Sequence, residues 1–308
     1  MLESENAPRP AVVMPAGLDG PVLRRAMTAY LESLREHRAQ LDAINVYPVA
    51  DADTGTNLVH TQEAVERALE SLPTNTDRRT IVEAMTDAAL RGARGNSGVV
   101  LSQMLHGIGA GDGTDLAAAL ESGAAAVATA FARPAEGTAI TVTREAASAA
   151  RERAARGGDP IKVLDAALAA ARASLARTTE ILPELREAGV VDAGAKGIVL
   201  LIEALAASVA GHPMPNGTRP TIPLTRIAPG ASAVRYEVQY LLEAADGAAA
   251  TLRKAIDALG DSVAVVEHAG VVRVHAHTDR PDAVIAAGAR VATPQEVSVA
   301  PLDRGGAT

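Results

Sequence analysis

Through the first two thirds of the chain, apolar residues recur at three- and four-residue steps, the spacing of one face of an α-helix. The run that opens at Asp19 carries Leu23, Met27, Tyr30, Leu34 and Leu41 on such a face, with Pro21 early, where a helix tolerates it. Further helices are predicted over 57–71, 78–91, 97–109, 114–132, 138–156, 160–176 and 194–209. They are rich in Ala, Leu, Arg and Glu, strong helix formers, and short Gly, Pro or Asn punctuation separates them. Small Ala faces let helices approach closely, so an all-α bundle of eight helices is expected. Pro213, Pro215, Pro220, Pro223 and Pro229 then interrupt the pattern and read as an extended linker. Beyond them the period shortens to two, predicting strands at 234–243, 262–267, 271–277 and 295–301 and helices at 247–259 and 281–290. The order βαββαβ is that of a split-βαβ, ferredoxin-like α+β sandwich. The organisation expected is a flexible tail over 1–17, a helical domain over 18–210, a Pro-rich linker over 211–232, an α+β domain over 233–303 and a tail over 304–308.

Composition removes several functional classes. One Phe, four Tyr and no Trp leave no aromatic platform for base stacking, and a net charge of −8 leaves no basic stripe for phosphate backbones, so no nucleic-acid partner is expected. Without cysteine the chain has no disulfide, thiolate zinc finger or thiol nucleophile. The acidic start Met-Leu-Glu-Ser-Glu-Asn lacks the apolar core of a secretory signal. The best apolar run, Ile198–Ala210, is interrupted by Glu203 and falls short of the ~18 residues of a membrane span. A cytoplasmic protein that meets small molecules or other proteins is expected.

The sharpest chemical feature is Asn45-Val-Tyr-Pro-Val-Ala-Asp51-Ala-Asp53-Thr54-Gly55-Thr56-Asn57. Two carboxylates two residues apart in a turn present oxygens to a hard cation such as Mg²⁺. A glycine and an opening helix with free N–H groups follow, which favours a phosphate. Alone, such a turn is more often a capped helix start. A second glycine loop, Gly92–Gly98, offers Asn96, Ser97 and Gly98 at another helix start, where the alternative is a plain N-cap. Loops at Pro134–Thr138, with Gly137 and Thr138, and at Val191–Gly197, with Asp192, Ala193 and Gly194, have a similar build. Four such loops spaced by helix pairs would share one end of an up-and-down bundle.

The stretches INVYPVADADTGTNL, GARGNSGVVLSQ, ARPAEGTAITVTREAA and GVVDAGAKG resemble, in order and spacing, the ATP-binding (DAK2-type) domain of the dihydroxyacetone kinase family, and more closely the ATP-binding subunit of bacterial fatty acid kinase. The resemblance implies a barrel of eight antiparallel helices that binds Mg-ATP at one end. It implies Asp51 and Asp53 as catalytic Mg²⁺ ligands, with Asn45 near a second metal position. Thr54, Gly55, Thr56, Asn57, Asn96, Ser97 and Gly98 would lie along the phosphates, Gly137 and Thr138 by the nucleoside, and Asp192, Ala193 and Gly194 at the closing wall. The family usually reads Asp-Gly-Asp where Ala52 stands here, and Gly-Gln where Ala195 and Lys196 stand. RYEVQYLLE, ALGDSVAVVEHAGVVRVHAHTDRP and EVSVAPL are similar to the middle domain of the same subunit. Those relatives continue into a third domain that engages a DegV-type acyl-carrier protein, and the 308 residues here stop after the second. A kinase passing the ATP γ-phosphate to a carboxylate or a small keto or hydroxy acceptor is expected, with a homodimer as the candidate assembly.

Two further readings remain open. A non-catalytic nucleotide-binding regulator is compatible with Ala52 and the missing third domain. A haloacid-dehalogenase-type phosphatase would use Asp51 as nucleophile and Asp53 as acid, although Pro48 sits in the would-be strand. Separately, His275 and His277 alternate on one strand and so share a face. In a split-βαβ sheet the end of the third strand lies beside the start of the first, bringing Glu237 to them as a three-ligand set for Zn²⁺. Relatives carry a Cys at that third position. A structural or regulatory role is expected, because the site belongs to a different domain from the nucleotide. His37, His60, His106, His212 and His268 stand singly and are expected at surface or packing positions.

Overall fold

The computed structural model describes residues 17–214 and 234–302. The expected tails over 1–17 and 304–308 and the linker over 211–232 lie outside the described residues, except Gly17 and 211–214. Leu18 is already buried, and its N–H donates to the Gly113 carbonyl, so the helical unit is anchored ahead of its first helix.

Nine helices occupy 20–210 among the described residues: α1 (Gly20–Ala43), α2 (Thr54–Glu70), α3 (Arg78–Gly92), α4 (Gly95–Gly109), α5 (Leu116–Ala130), α6 (Ala139–Ala155), α7 (Pro160–Ile181), α8 (Pro183–Ala188) and α9 (Ala193–Ala210). The extra one is α8. Pro183 holds Leu182 in extended backbone, which ends α7 five residues beyond the predicted boundary and restarts the helix at a proline. Asp19, Asp77, Asp115, Asp159 and Asp192 cap α1, α3, α5, α7 and α9 through bonds from backbone N–H groups two or three residues on, each contributing about 1 kcal/mol. Successive helices from α1 to α7 pack on one another, and α9 packs against both α7 and α1. Met27, Tyr30, Leu34, Leu58, Met85, Leu101, Leu105, Val142, Leu164, Ile198 and Leu201 fill the interior. Gly107 of α4 faces the backbone of Gly123 in α5, a contact that any side chain would block. By length and composition α9 does reach what a membrane span requires, despite Glu203, but 67% of it is buried inside the protein, which accounts for its apolarity.

The second unit runs β1 (Tyr236–Glu243), α10 (Ala248–Asp257), β2 (Asp261–His268), β3 (Val271–Thr278), α11 (Pro281–Ala289) and β4 (Gln295–Pro301). Its sheet order is β2-β3-β1-β4 with every neighbour antiparallel, as a split-βαβ sandwich requires. One face, with Val238, Tyr240, Leu242, Val272 and Val274, packs under Leu252, Ile256, Val284 and Ala287 of α10 and α11. The other face meets the helical unit rather than solvent. Leu241, Ala264, Val266 and Val271 lie against Leu90, Ala93, Val99 and Ala130. Phe131 forms a β-bridge with Ala264, and the Ala132 N–H donates to Val263 O, so the chain leaving α5 joins the seam as backbone. Within the seam Arg273, 1% exposed, donates to the Arg91 carbonyl and to Gln239 Oε1. His106 and His268, read as lone residues, meet across it with ring centres 4.6 Å apart and ring planes tilted by 60°.

Candidate functional site

Each of the four glycine-containing loops ends where a helix begins: Asp53 before α2, Arg94 before α4, Thr138 before α6 and Asp192 before α9. All four open into one cleft, whose empty space is about 840 Å³ when its open mouth is counted. Thr138 and Asp192 cap their own helices, whereas α2 and α4 have no side-chain cap. The start of α4 thus leaves N–H groups without a capping side chain at the positive end of a helix dipole, a setting that attracts anions, while at α2 the Thr56 N–H is already taken by Asp42. Asn96 and Ser97 lie inside the first turn of α4, not at its cap, and both line the cleft. Asn96 Oδ1 is buried without a hydrogen-bond partner.

Asp51 and Asp53 face each other across Ala52, which adopts φ 59°, a left-handed conformation that favours glycine. Both carboxyls are pushed up, Asp51 to about 8 by burial and then by Asp53, and Asp53 upward by burial against bonds from Asp51 and Asn57 that lower it. Two carboxylates set this close raise each other's cost of ionising, and a bound cation relieves that repulsion. Asn45, read as a metal ligand, is fully engaged. Its amide donates to Val49 O and Asp51 Oδ1 while its carbonyl accepts from Thr54 Oγ1, so it steadies Asp51 rather than offering a free oxygen. Asp42, at the end of α1, accepts from the Thr56 N–H and hydroxyl and fixes the start of α2.

Of the residues singled out from the sequence, Asn45, Asp51, Asp53, Thr54, Asn57, Asn96, Ser97, Thr138, Asp192 and Gly194 line the cleft. Gly55, Thr56, Gly98, Gly137 and Ala193 do not. Gly55 packs on the Arg38 carbonyl of α1, Gly98 on Thr61, and Gly137 at φ 80° donates to Thr141 Oγ1. Their smallness shapes the walls.

The opposite wall is the second unit, and here one expectation is corrected. Glu237, His275 and His277 line the same cleft as Asp51 and Asp53, so they are not remote from it. The paired register, Glu237 opposite His277 and Gln239 opposite His275, puts the three on the docked face of the sheet. That docking carries them over the ends of α2 and α4. Their candidate ligand atoms lie within 4.8 Å of one another. His275 Nδ1 has no hydrogen-bond partner and lies 3.3 Å from Glu237 Oε1, and His275 Nε2 lies 3.1 Å from His277 Nε2. Burial, first of all, holds both imidazoles neutral, the form that ligates metals. Tyr47, Phe131, Arg133 and Ser262 also line the cleft and were not singled out from the sequence; Ser262 sits at φ 51° in a bulge of β2.

The phosphatase reading fails on this geometry. Residues 44–53 form no strand, and the described sheet is antiparallel and lies wholly within 236–301.

A helical unit gathering helix N-termini around two carboxylates, closed by an α+β unit bearing two histidines, defines a two-part ligand-binding protein. By comparison of families, residues 48–207 match the DAK2 domain and 233–307 match the FakA-like middle domain of fatty acid kinase, so the chain belongs to the DAK2-domain family and carries that middle domain. Protein YloV of Bacillus subtilis is 32% identical over 299 residues, 87% of this chain and 52% of YloV. An uncharacterized protein of Staphylococcus saprophyticus is 29% identical over 292 residues, with the same two shares. The chain thus spans about half the length of these relatives. The dihydroxyacetone kinase of C. freundii in its native form aligns with a TM-score of 0.49 at 22% identity, over 68% of this chain and 38% of that one.

Proposed function

We propose that the chain is a Mg-ATP-dependent phosphotransferase subunit. The observation that carries this reading is one cleft holding two half-buried carboxyls with raised pKa values, the starts of helices α2 and α4, and the orphaned Asn96 Oδ1. These features suit a cation–polyphosphate complex, and membership of the DAK2-domain family supports it. Asp51 and Asp53 would hold Mg²⁺, and Asn45 would keep Asp51 aimed at it. The α2 and α4 starts would bind phosphate oxygens through Thr54, Asn57, Asn96 and Ser97. Thr138, Asp192 and Gly194, with the apolar Tyr47, Phe131 and Ile140, would shape the nucleoside side. Mg²⁺, when bound, would supply charge neutralisation on the transferred phosphoryl, and no side chain need become covalent.

Glu237, His275 and His277 would form the acceptor side. The three candidate ligand atoms, one from each side chain and all within 4.8 Å of one another, support a Zn²⁺ site at the cleft. Glutamate in place of the relatives' Cys hardens that set. The acceptor class is a carboxylate or a small keto or hydroxy compound, offered free or by a DegV-type carrier.

Calorimetry with Mg-ATP tests the assignment. Asp51→Asn and Asp53→Asn are each expected to weaken binding by about 2 kcal/mol, roughly 30-fold; unchanged affinity in both overturns it. For zinc, elemental analysis after purification without chelator or metal-affinity resin is decisive. Less than ~0.1 equivalent, with none taken up from micromolar Zn²⁺, removes the metal from this reading.

A further inference from the structure

We infer that Arg133 receives the terminal phosphate of the nucleotide, an inference that rests on the phosphotransferase reading. The charges around the cleft are one-sided. Asp51, Asp53, Asp192 and Glu237 line it, the histidines there are neutral, and Arg133 is the single cationic side chain among the described lining residues. A triphosphate held by this wall leaves its outermost oxygens short of positive charge. A guanidinium, always charged and forked for two parallel bonds, matches that need.

The seam determines where Arg133 stands. Two residues earlier, Phe131 bridges to Ala264, and Ala132 donates to Val263, so the backbone entering Arg133 is tied to β2 at the rim between the units. The guanidinium donates to Asp257 Oδ1 at 2.9 Å, Asp261 Oδ1 at 3.2 Å and Asp257 O at 2.7 Å. Asp261 pairs with His277 in the sheet register, and the neighbouring Ser262 lines the cleft. The resting arginine therefore waits beside the histidine wall. Its side chain is 61% exposed, and ion pairs this exposed are weak, so a polyphosphate entering the cleft competes for it readily.

The test compares two nucleotides. Arg133→Ala is expected to lose about tenfold or more in affinity for Mg²⁺ with a non-hydrolysable ATP analogue, the effect of one charge-assisted contact, while Mg-ADP affinity stays within about twofold. Arg133→Lys is expected to recover part of the loss. An Asp257→Asn, Asp261→Asn double variant, which releases the guanidinium, is expected to bind the analogue at least as tightly as the parent. Equal losses for both nucleotides, or none, overturn the inference. A parent protein that binds neither nucleotide refutes the phosphotransferase reading instead. Melting without ligand checks folding, and if Arg133→Ala unfolds, Arg133→Gln carries the comparison.

Discussion

Replacing Asp192 by Asn separates the two jobs of a buried carboxylate at a helix start. Asp192 is 5% exposed; its Oδ1 accepts from the Ala195 N–H at 2.7 Å, and its own N–H donates to Thr178 Oγ1. Burial raises its pKa from 3.8 to about 6, against backbone bonds from Ala195 and Ala139 that pull it down. Below pH 3.8 the group is protonated in both the folded and unfolded chain and costs nothing. Between 3.8 and about 6 the unfolded chain ionises first, so stability falls as pH rises, and above 6 the penalty is constant. That interval, at ~1.4 kcal/mol per pH unit, comes to about 3 kcal/mol. Asn keeps an acceptor for Ala195 but cannot ionise. The stability of Asp192→Asn relative to the parent is therefore expected to rise by about 3 kcal/mol from about pH 3.5 to about pH 7, measured by urea unfolding followed through the helical signal. Asp192→Ala, which loses the cap, is expected about 1 kcal/mol below Asp192→Asn at both pH values. A parent-to-Asn difference that does not change with pH refutes the buried-charge argument.

Ala52→Gly relieves a left-handed alanine at φ 59°, so a gain of about 0.5 kcal/mol or more is expected after the entropy of glycine is counted; a lower melting temperature counts against it. Lys196 donates to Gln40 Oε1, and burial depresses its pKa from 10.5 to about 8. Its cost is thus full below pH 8 and relieved as pH rises toward 10.5. Lys196→Gln is expected to gain about 1 kcal/mol at neutral pH, allowing for its partial exposure, with the gain fading in alkali; melting curves at neutral and alkaline pH decide this.

The helices and their loops were legible because local chemistry determines them. Aspartate caps, prolines at first turns and the Asp51–Asn57 and Gly92–Gly98 loops act within a few residues, and each of those two loops does precede a helix. The strand order was legible too, since βαββαβ leaves few topologies, and the register then delivers Glu237 to His277. What escaped is the docking of the sheet onto the bundle. Its signal was present in Val263-Ala-Val-Val266 and in the pairs Leu241-Leu242 and Val271-Val272, which put apolar residues on both faces, while Val238–Tyr240 and Val272–His277 alternate as a half-exposed strand does. Ala264 and Val266 complete that second apolar face. Missing it placed the histidines on a separate site. It also hid Arg133 and Ser262, which reach the cleft only once Phe131 has paired with Ala264. Gly55 and Gly98 misled for another reason: spacing cannot distinguish a glycine facing a ligand from one facing a helix.

The doubly apolar sheet has a consequence for the order in which the protein is made. The helical unit is built mostly from contacts between successive helices, which close short loops and form early. Synthesis from the N-terminus completes Leu90, Ala93, Val99 and Ala130 before β1 leaves the ribosome, so the receiving surface precedes the strands it covers. A circular permutation that put residues 234–302 first would reverse this. Leu241, Val266 and Val271 would then wait uncovered on a sheet with open edges at β2 and β4, an invitation to pair with other nascent chains. The linear order of the two units thus protects the nascent protein from aggregation.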